Sequence, residues 1–290
     1  MLRELRAGDA EAVAAIIRAA DPSRGIDAEE VRSWLRNAAL DPEEIRVLEA
    51  DGEIVGYVDL LRSGELANVD PNGAGHEDAL LDWAETRARG GGAEQTRVHV
   101  SEHNHSLAEA LRARGYAPVR TSFEMEVDLD DERPPEPEWP GGIDVRTYRH
   151  PDDEQATYAA QEESFRDSWD YRPSPIEQWR EFQLRWRGFD PDLWLLAWDG
   201  GELAGICLAF PERVGETDLG WVSILGVRRP WRRRGLGEAL LRRAFRDLHA
   251  RGLRRVGLGV DAESPTGATR LYERAGMHVA VRSETWSKRL

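Results

Sequence analysis

The chain has 290 residues, 40% apolar and 32% charged, with a single cysteine and a formal net charge of −15. That length predicts two domains of about 140 residues, each able to bury a core, and the composition reads as globular. The acidity excludes nucleic acid and anionic membrane as partners of the whole molecule and mildly favours cationic or neutral small ligands.

Cys207 lies in the apolar run Leu203–Phe210 without a nearby His or Cys, so it reads as a buried apolar residue, and no internal disulfide can form. The start, Met1-Leu2-Arg3-Glu4-Leu5-Arg6, is charged, and no run approaches the roughly 18 apolar residues of a membrane span. A cytoplasmic protein without a membrane anchor is the expectation.

From Leu2 to Ile17 the pattern gives a short strand and then a helix after Gly8-Asp9. Two apolar runs around Asp51-Gly52, Ile45 to Val58, predict a hairpin. A helix follows over His76–Arg89, then a strand over Thr96–Val100. A second helix, Leu107–Arg114, closes at Gly115 before a strand over Thr121–Leu129. The segment Asp130–Gly142 holds four prolines, five acids and a glycine pair, which reads as an extended linker.

The same order then repeats. Ile143 to Phe165 gives strand and helix, and Leu193 to Ile206 gives a hairpin about Asp199-Gly200. Helices over Gly237–Arg251 and Gly267–Ala275 alternate with strands over Arg255–Val260 and Val279–Ser287. The expected class is α/β, more closely an α+β mixed sheet with helices on its faces, in two tandem copies: 1–130, a linker 131–142, and 143–290.

The second copy carries the chemistry. An apolar strand, Val222–Val227, runs into Arg228-Arg229-Pro230-Trp231-Arg232-Arg233-Arg234-Gly235-Leu236-Gly237 and a helix from Glu238. Glycines at a helix mouth admit close backbone approach, and its free amides and dipole favour an anion. Five arginines within seven residues of an acidic chain point to a multiply charged one, such as a pyrophosphate. Leu240 stands where a Rossmann fingerprint has its third glycine, and Glu238-Ala239 where a Walker loop has its Lys-Ser/Thr, so neither motif fits.

Leu225 to Met277 resembles the GCN5-related N-acetyltransferase (GNAT) family. Arg232, Gly235 and Gly237 match its Arg/Gln-x-x-Gly-x-Gly/Ala signature, with Val227, Pro230 and Arg233 ahead of it. Ala268–Met277 is similar to its Ala-x-x-Leu-Tyr-x-x-x-Gly-Phe helix, with Met277 for Phe. The tandem layout, with Ser164–Trp169, Pro173 and Trp179, is similar to the mycothiol synthase family and its tandem relatives. The resemblance implies acetyl-CoA as co-substrate, without a metal, and a small-molecule amine as acceptor. It implies that main-chain groups at Leu225, Gly226 and Val227 bind the pantetheine arm and acetyl carbonyl. Amides of Arg232, Arg233, Arg234, Gly235, Leu236, Gly237 and Glu238 would hold the pyrophosphate, and Tyr272 would protonate the leaving thiolate. The family's pantetheine-binding Asn is replaced by Ser264, one residue out of step. A monomer or homodimer is expected.

The resemblance also implies a glutamate base six residues before Val227, where this chain has Trp221. Asp218, Glu216 and Ser223 on the strand or its lead-in, and Glu162 and Glu163 on the helix bordering the acceptor, are the substitutes weighed; Asp218 is taken as the candidate. Trp221 and the final strand Thr285-Trp286-Ser287-Lys288 speak against mycothiol synthesis itself.

The first copy has Val69-Asp70-Pro71-Asn72-Gly73-Ala74-Gly75-His76-Glu77 in place of the cradle and Leu111 in place of Tyr272, and reads as a degenerate domain. Its His99, His103 and His105 suit a polar surface turn better than a metal site. Trp169, Tyr171, Trp179, Trp186, Trp194, Trp198 and Trp221 are mostly core, with one or two lining an amine pocket. The rival reading is a noncatalytic acyl-CoA-binding regulator.

Overall fold

Alternation and turn chemistry build the strands of both units. In the computed structural model, which describes residues 1–21, 24–36, 41–61, 65–73, 75–185, 188–213, 216 and 218–290, the chain forms two compact units. One comprises Met1–Ser122 with Val281–Leu290, the other Phe123–Ala280. Ala74 and Trp186 lie outside the described residues.

The first unit contains β1 (Leu2–Glu4), α1 (Ala10–Ala20), α2 (Ala28–Trp34), β2 (Ile45–Ala50), β3 (Glu53–Leu61), β4 (Leu66–Pro71), α3 (Glu77–Gly90), β5 (Gln95–Ser101) and α4 (His105–Ala113). Asp51 and Gly52, both left-handed at φ 52° and 83°, form the tight turn between β2 and β3. Strand β6 (Ala117–Asp128) begins in this unit and ends in the other.

The second unit continues with β7 (Ile143–Thr147), α5 (Glu154–Phe165), α6 (Ile176–Gln183), β8 (Trp194–Asp199), β9 (Glu202–Phe210), β10 (Leu219–Val227), α7 (Leu236–Ala250), β11 (Arg255–Asp261) and α8 (Ala268–Arg274), then β12 (His278–Arg289). Gly200-Gly201 forms its hairpin turn, one residue later than the Asp199-Gly200 expected, because Asp199 still pairs with Glu202.

Strand order is β1-β2-β3-β4-β5-β12 in the first unit and β6-β11-β10-β9-β8-β7 in the second. The pairs β1–β2, β2–β3, β3–β4, β5–β12, β7–β8, β8–β9 and β9–β10 are antiparallel, whereas β4 meets β5 and β10 meets β11 in parallel. The last strand of the chain thus serves the first unit, pairing Ser283 to Arg289 with Ser101 to Gln95. The compact units therefore cut across the boundaries read from sequence: 123–130 counts with the second and 281–290 with the first.

Two short helices, α2 and α6, stand between the first helix and the hairpin of each unit, where the sequence pattern left a gap. Asp27 caps α2 by accepting from the Glu30 amide at 2.8 Å, and α6 is anchored by buried Trp179. Asp130–Gly142 is irregular and pinned along α7: Arg243 and Arg246 reach Glu136 at 2.7 and 3.1 Å, and His249 Nε2 contacts the Asp130 carbonyl at 3.0 Å. No helix among the described residues is long and apolar enough to cross a membrane.

Candidate active site

Strand β10 carries a bulge at Ser223, where its register against β9 shifts by one. The bulge reverses the alternation, so Val222 packs beneath α7 and α8 while Ile224, two residues on, packs beneath α5 and α6. It also decides which backbone groups are free. The Arg228 amide donates to the Ala204 carbonyl at 3.0 Å, so Gly226/Ile206 and Ile224/Leu208 are hydrogen-bonded pairs. Leu225 and Val227 consequently turn their N–H and C=O groups away from β9.

On that side β11 has already departed. Its parallel pairing with β10 runs from Leu219↔Arg255 to Val222↔Leu258, and the strands diverge beyond it. A wedge opens between them, with the main chain of Leu225 and Val227 along one wall. Arg232 takes the Val227 carbonyl through Nε at 3.0 Å, which leaves the Val227 amide and both Leu225 groups facing the opening.

The N-terminus of α7 closes the wide end of this wedge. Gly235 is its N-cap, left-handed at φ 84°, and no side chain caps the first-turn amides. Arg233 is also left-handed, at φ 62°. The two glycines do different work. Gly235 supplies the conformation, with open space around its Cα. A Cβ on Gly237 would meet Leu271 at 3.1 Å, so this glycine lets α7 seat against α8.

The arginines are mostly committed to the protein. Arg228 bonds Glu163 at 2.6 Å and Arg229 pairs with Asp167; Arg232 reaches the Ser164 carbonyl at 3.1 Å and Asp167 at 3.2 Å; Arg234 reaches the Gly141 carbonyl at 3.4 Å. Exposed Arg233 has no such partner among the described residues. Four of the five arginines thus fasten the loop in this structure, Arg228 and Arg232 to α5 and Arg229 to Asp167 just past its end, while the first-turn amides of α7 have no side-chain cap.

Tyr272, on the face of α8 toward the sheet, is 7% exposed, and burial, helped by the nearby Cys207, holds its phenol protonated well above the ordinary range. Cys207 is itself buried opposite Leu225, its thiol pushed up by burial. Ser264 sits in the turn from β11 to α8, its hydroxyl 2.9 Å from that of Thr266. Parallel β10 and β11 end together, so the α7 mouth, the Ser264 turn and α8 all follow from the C-terminal ends of the diverging strands.

The profile of the acetyltransferase (GNAT) family matches residues 155–277, spanning α5 to the end of α8. A mycothiol acetyltransferase of Geodermatophilus obscurus is 30% identical over 96% of this chain and 93% of its own. The chain belongs to the GNAT acetyltransferase family. A GCN5-related N-acetyltransferase structure from Sphaerobacter thermophilus superposes with a TM-score of 0.80 at 38% identity, covering 100% of this chain and 95% of that one. A tandem GNAT protein from the clavulanic acid biosynthesis pathway shares the fold at a TM-score of 0.74 and 19% identity, over 100% of this chain and 98% of that one.

This GNAT acetyltransferase does not bring Asp218 to the wedge. Asp218 precedes the nine-residue β10, which at about 3.3 Å per residue puts it roughly 30 Å from Val227. It is exposed and pairs with Arg255 at 3.2 Å. Trp221 lies flat across Gly257, whose hypothetical Cβ would be 2.7 Å from the indole. The Arg213 guanidinium lies over that indole, 4.4 Å from its ring centre, and is gripped by both oxygens of Glu124 at 2.7 Å. Sequence spacing gave no sign of this stack, since Glu124 comes from β6.

Of the aromatics weighed as acceptor-side residues, Trp179 and Trp194 are core, grouped with Tyr148, Phe189 and Phe210. Trp198 lies under Arg146, Tyr171 donates to Glu162 at 2.6 Å, and Trp169 is 39% exposed.

In the first unit β4 and β5 also diverge, after Leu66↔Arg97 and Ala67↔Val98. Yet the α3 mouth is filled from within: Glu77, nearly buried, accepts from the Gly75 amide at 2.7 Å. Burial opposes its charge, but amide hydrogen bonds and Ser106 outweigh that and hold it below the usual carboxylate range. Asp70 is paired with Arg24, and Leu111 is fully buried at the place corresponding to Tyr272. Between His103 and His105, Asn104 caps α4, which accounts for that polar turn. Among the described residues no three His, Cys, Asp or Glu side chains gather as a metal-holding group.

Proposed function

We propose that the second unit transfers the acetyl group of acetyl-CoA to the amine of a small molecule by direct attack, in the cytoplasm. The first unit, 1–130 in the sequence division, is then a noncatalytic copy whose anion position is taken by Glu77. The observation that carries this reading is the convergence of unpaired main-chain groups, an uncapped helix N-terminus and a buried protonated phenol on one wedge.

The pantetheine amides extend the sheet by bonding Leu225 in the manner of an added strand. The Val227 amide donates to the acetyl oxygen as it becomes an oxyanion, and amides from Arg232 to Glu238 hold the pyrophosphate, with Ser264 on the opposite lip. Tyr272 donates its proton to the sulfur as the C–S bond breaks.

Calorimetry with acetyl-CoA, followed by thiol release against a panel of amines, tests this. Arg233→Glu adds an anion beside the amides without disturbing packing, and is expected to weaken acetyl-CoA at least tenfold. Tyr272→Phe is expected to keep that affinity within twofold while lowering kcat about 10²- to 10⁴-fold. Binding without turnover of any amine would favour the regulator, and no binding by the intact protein would refute the reading.

A further inference from the structure

We infer that the Ser164 hydroxyl, near the end of α5, accepts a hydrogen bond from the attacking nitrogen of the acceptor and so aims its lone pair at the acetyl carbon. The inference rests on the second unit being the acetylating one.

Ser164 Oγ is buried and has no hydrogen-bond partner among the described residues. A buried hydroxyl left unpaired costs stability that an alanine of nearly the same size would not, so its partner is to be sought outside the chain. Its position says which partner. Beyond the Ser223 bulge, Gly226 faces the α5 side of β10, and a Cβ there would lie 3.0 Å from both Cβ and Oγ of Ser164. The hydroxyl therefore sits over the residue between Leu225 and Val227, whose main-chain groups form the wall of the wedge. Only a glycine at 226 leaves the hydroxyl this place without a shift.

One side chain fixes the hydroxyl relative to that wall. Arg232 takes the Ser164 carbonyl through Nη2 at 3.1 Å and the Val227 carbonyl through Nε at 3.0 Å, so a rigid guanidinium joins the two. Arg228 adds a second tie one residue earlier on α5, bonding Glu163 at 2.6 Å.

The two faces of β10 then divide the reaction between them. A donor bonded to the Leu225 main chain as an added strand lies in the plane of the sheet. Its thioester carbon is approached from one side of that plane or the other. The α7 and α8 side is packed with core, Val222, Leu236 and Tyr272 among it. The α5 side presents Ser164. Acetyl oxygen is matched by the Val227 amide and sulfur by the Tyr272 proton, so the polar group left for Ser164 is the nitrogen. Oγ accepts an N–H while the C–N bond forms, and the serine neither gains nor loses a proton.

The test compares wild type with Ser164→Ala, using acetyl-CoA and an amine that the wild type turns over. The variant is expected to lower kcat/KM for the amine about tenfold, the worth of one oriented hydrogen bond. Acetyl-CoA affinity by calorimetry is expected to stay within twofold. The variant is also expected to melt no lower than wild type, because it removes an unpaired buried hydroxyl. Unchanged kcat/KM would overturn the inference and leave the proposed function standing. A lower melting temperature with weakened acetyl-CoA would overturn it too, by showing that Ser164 serves the wall alone. A wild type that binds acetyl-CoA yet releases thiol with no amine would instead remove the proposed function, and this inference with it.

Discussion

Arg232 shows how a motif residue can act through its side chain. Its guanidinium takes the Val227 carbonyl, the Ser164 carbonyl and Asp167 together, so it fixes the end of β10 to the end of α5 and leaves the Val227 amide as the free group. Lysine offers no planar fork for three acceptors in different directions. Arg232→Ala and Arg232→Lys are both expected to weaken acetyl-CoA about tenfold, since one or two hydrogen bonds of about 1 kcal/mol no longer position the wall. Calorimetry checks the affinity and a thermal melt the fold; an unchanged affinity in both variants would leave Arg232 without a positioning role. Tyr272 works by the opposite device, being kept apart from water so that its proton stays available throughout the neutral range.

Strands β10 and β11 are fitted to one another at Trp221 and Gly257. The indole occupies the space a Cβ would need, and it cannot yield easily under Arg213. Gly257→Ala is therefore expected to destabilise the second unit by about 1–3 kcal/mol through overpacking. In a Trp221→Leu background the same change is expected to cost about 1 kcal/mol less, a coupling that urea melts of the four proteins would reveal. Additive effects would show that the clash is absorbed elsewhere. The Ser223 bulge is the companion device: it turns Leu225 and Val227 outward just as β11 departs, so one extra residue exposes the backbone on which the acyl donor would lie.

At the scale of the molecule, the first unit is completed by the end of the chain. Trp286 is 4% exposed within its core, and Lys288 bonds the nearly buried Glu85 at 3.0 Å. Trp286→Ala is expected to cost the first unit about 3–5 kcal/mol. Well below the melting transition it is expected to leave acetyl-CoA affinity within twofold. Hydrogen exchange provides the check: β5 amides should lose protection while β10 keeps its own. Loss of protection in β10 alone would contradict this assignment of the last strand.

Much of this was legible in the chain. Period-two runs with their glycine turns, and helices closed by Gly115 and Gly276, encode local geometry through φ, side-chain alternation and capping, so the duplicated α/β order could be read directly. The spaced pair of motifs around Gly235 and Tyr272 likewise identified the acyltransferase family. What local sequence could not express were relations between distant segments: that β12 pairs with β5, that β6 supplies Glu124 to hold Arg213 over Trp221, that three cradle arginines are tied to the end of α5 and to Asp167 just past it, and that Asp218 lies a strand's length from the wedge. Those follow from strand pairing and burial, which join residues far apart in the chain through free energies that no short window of sequence contains.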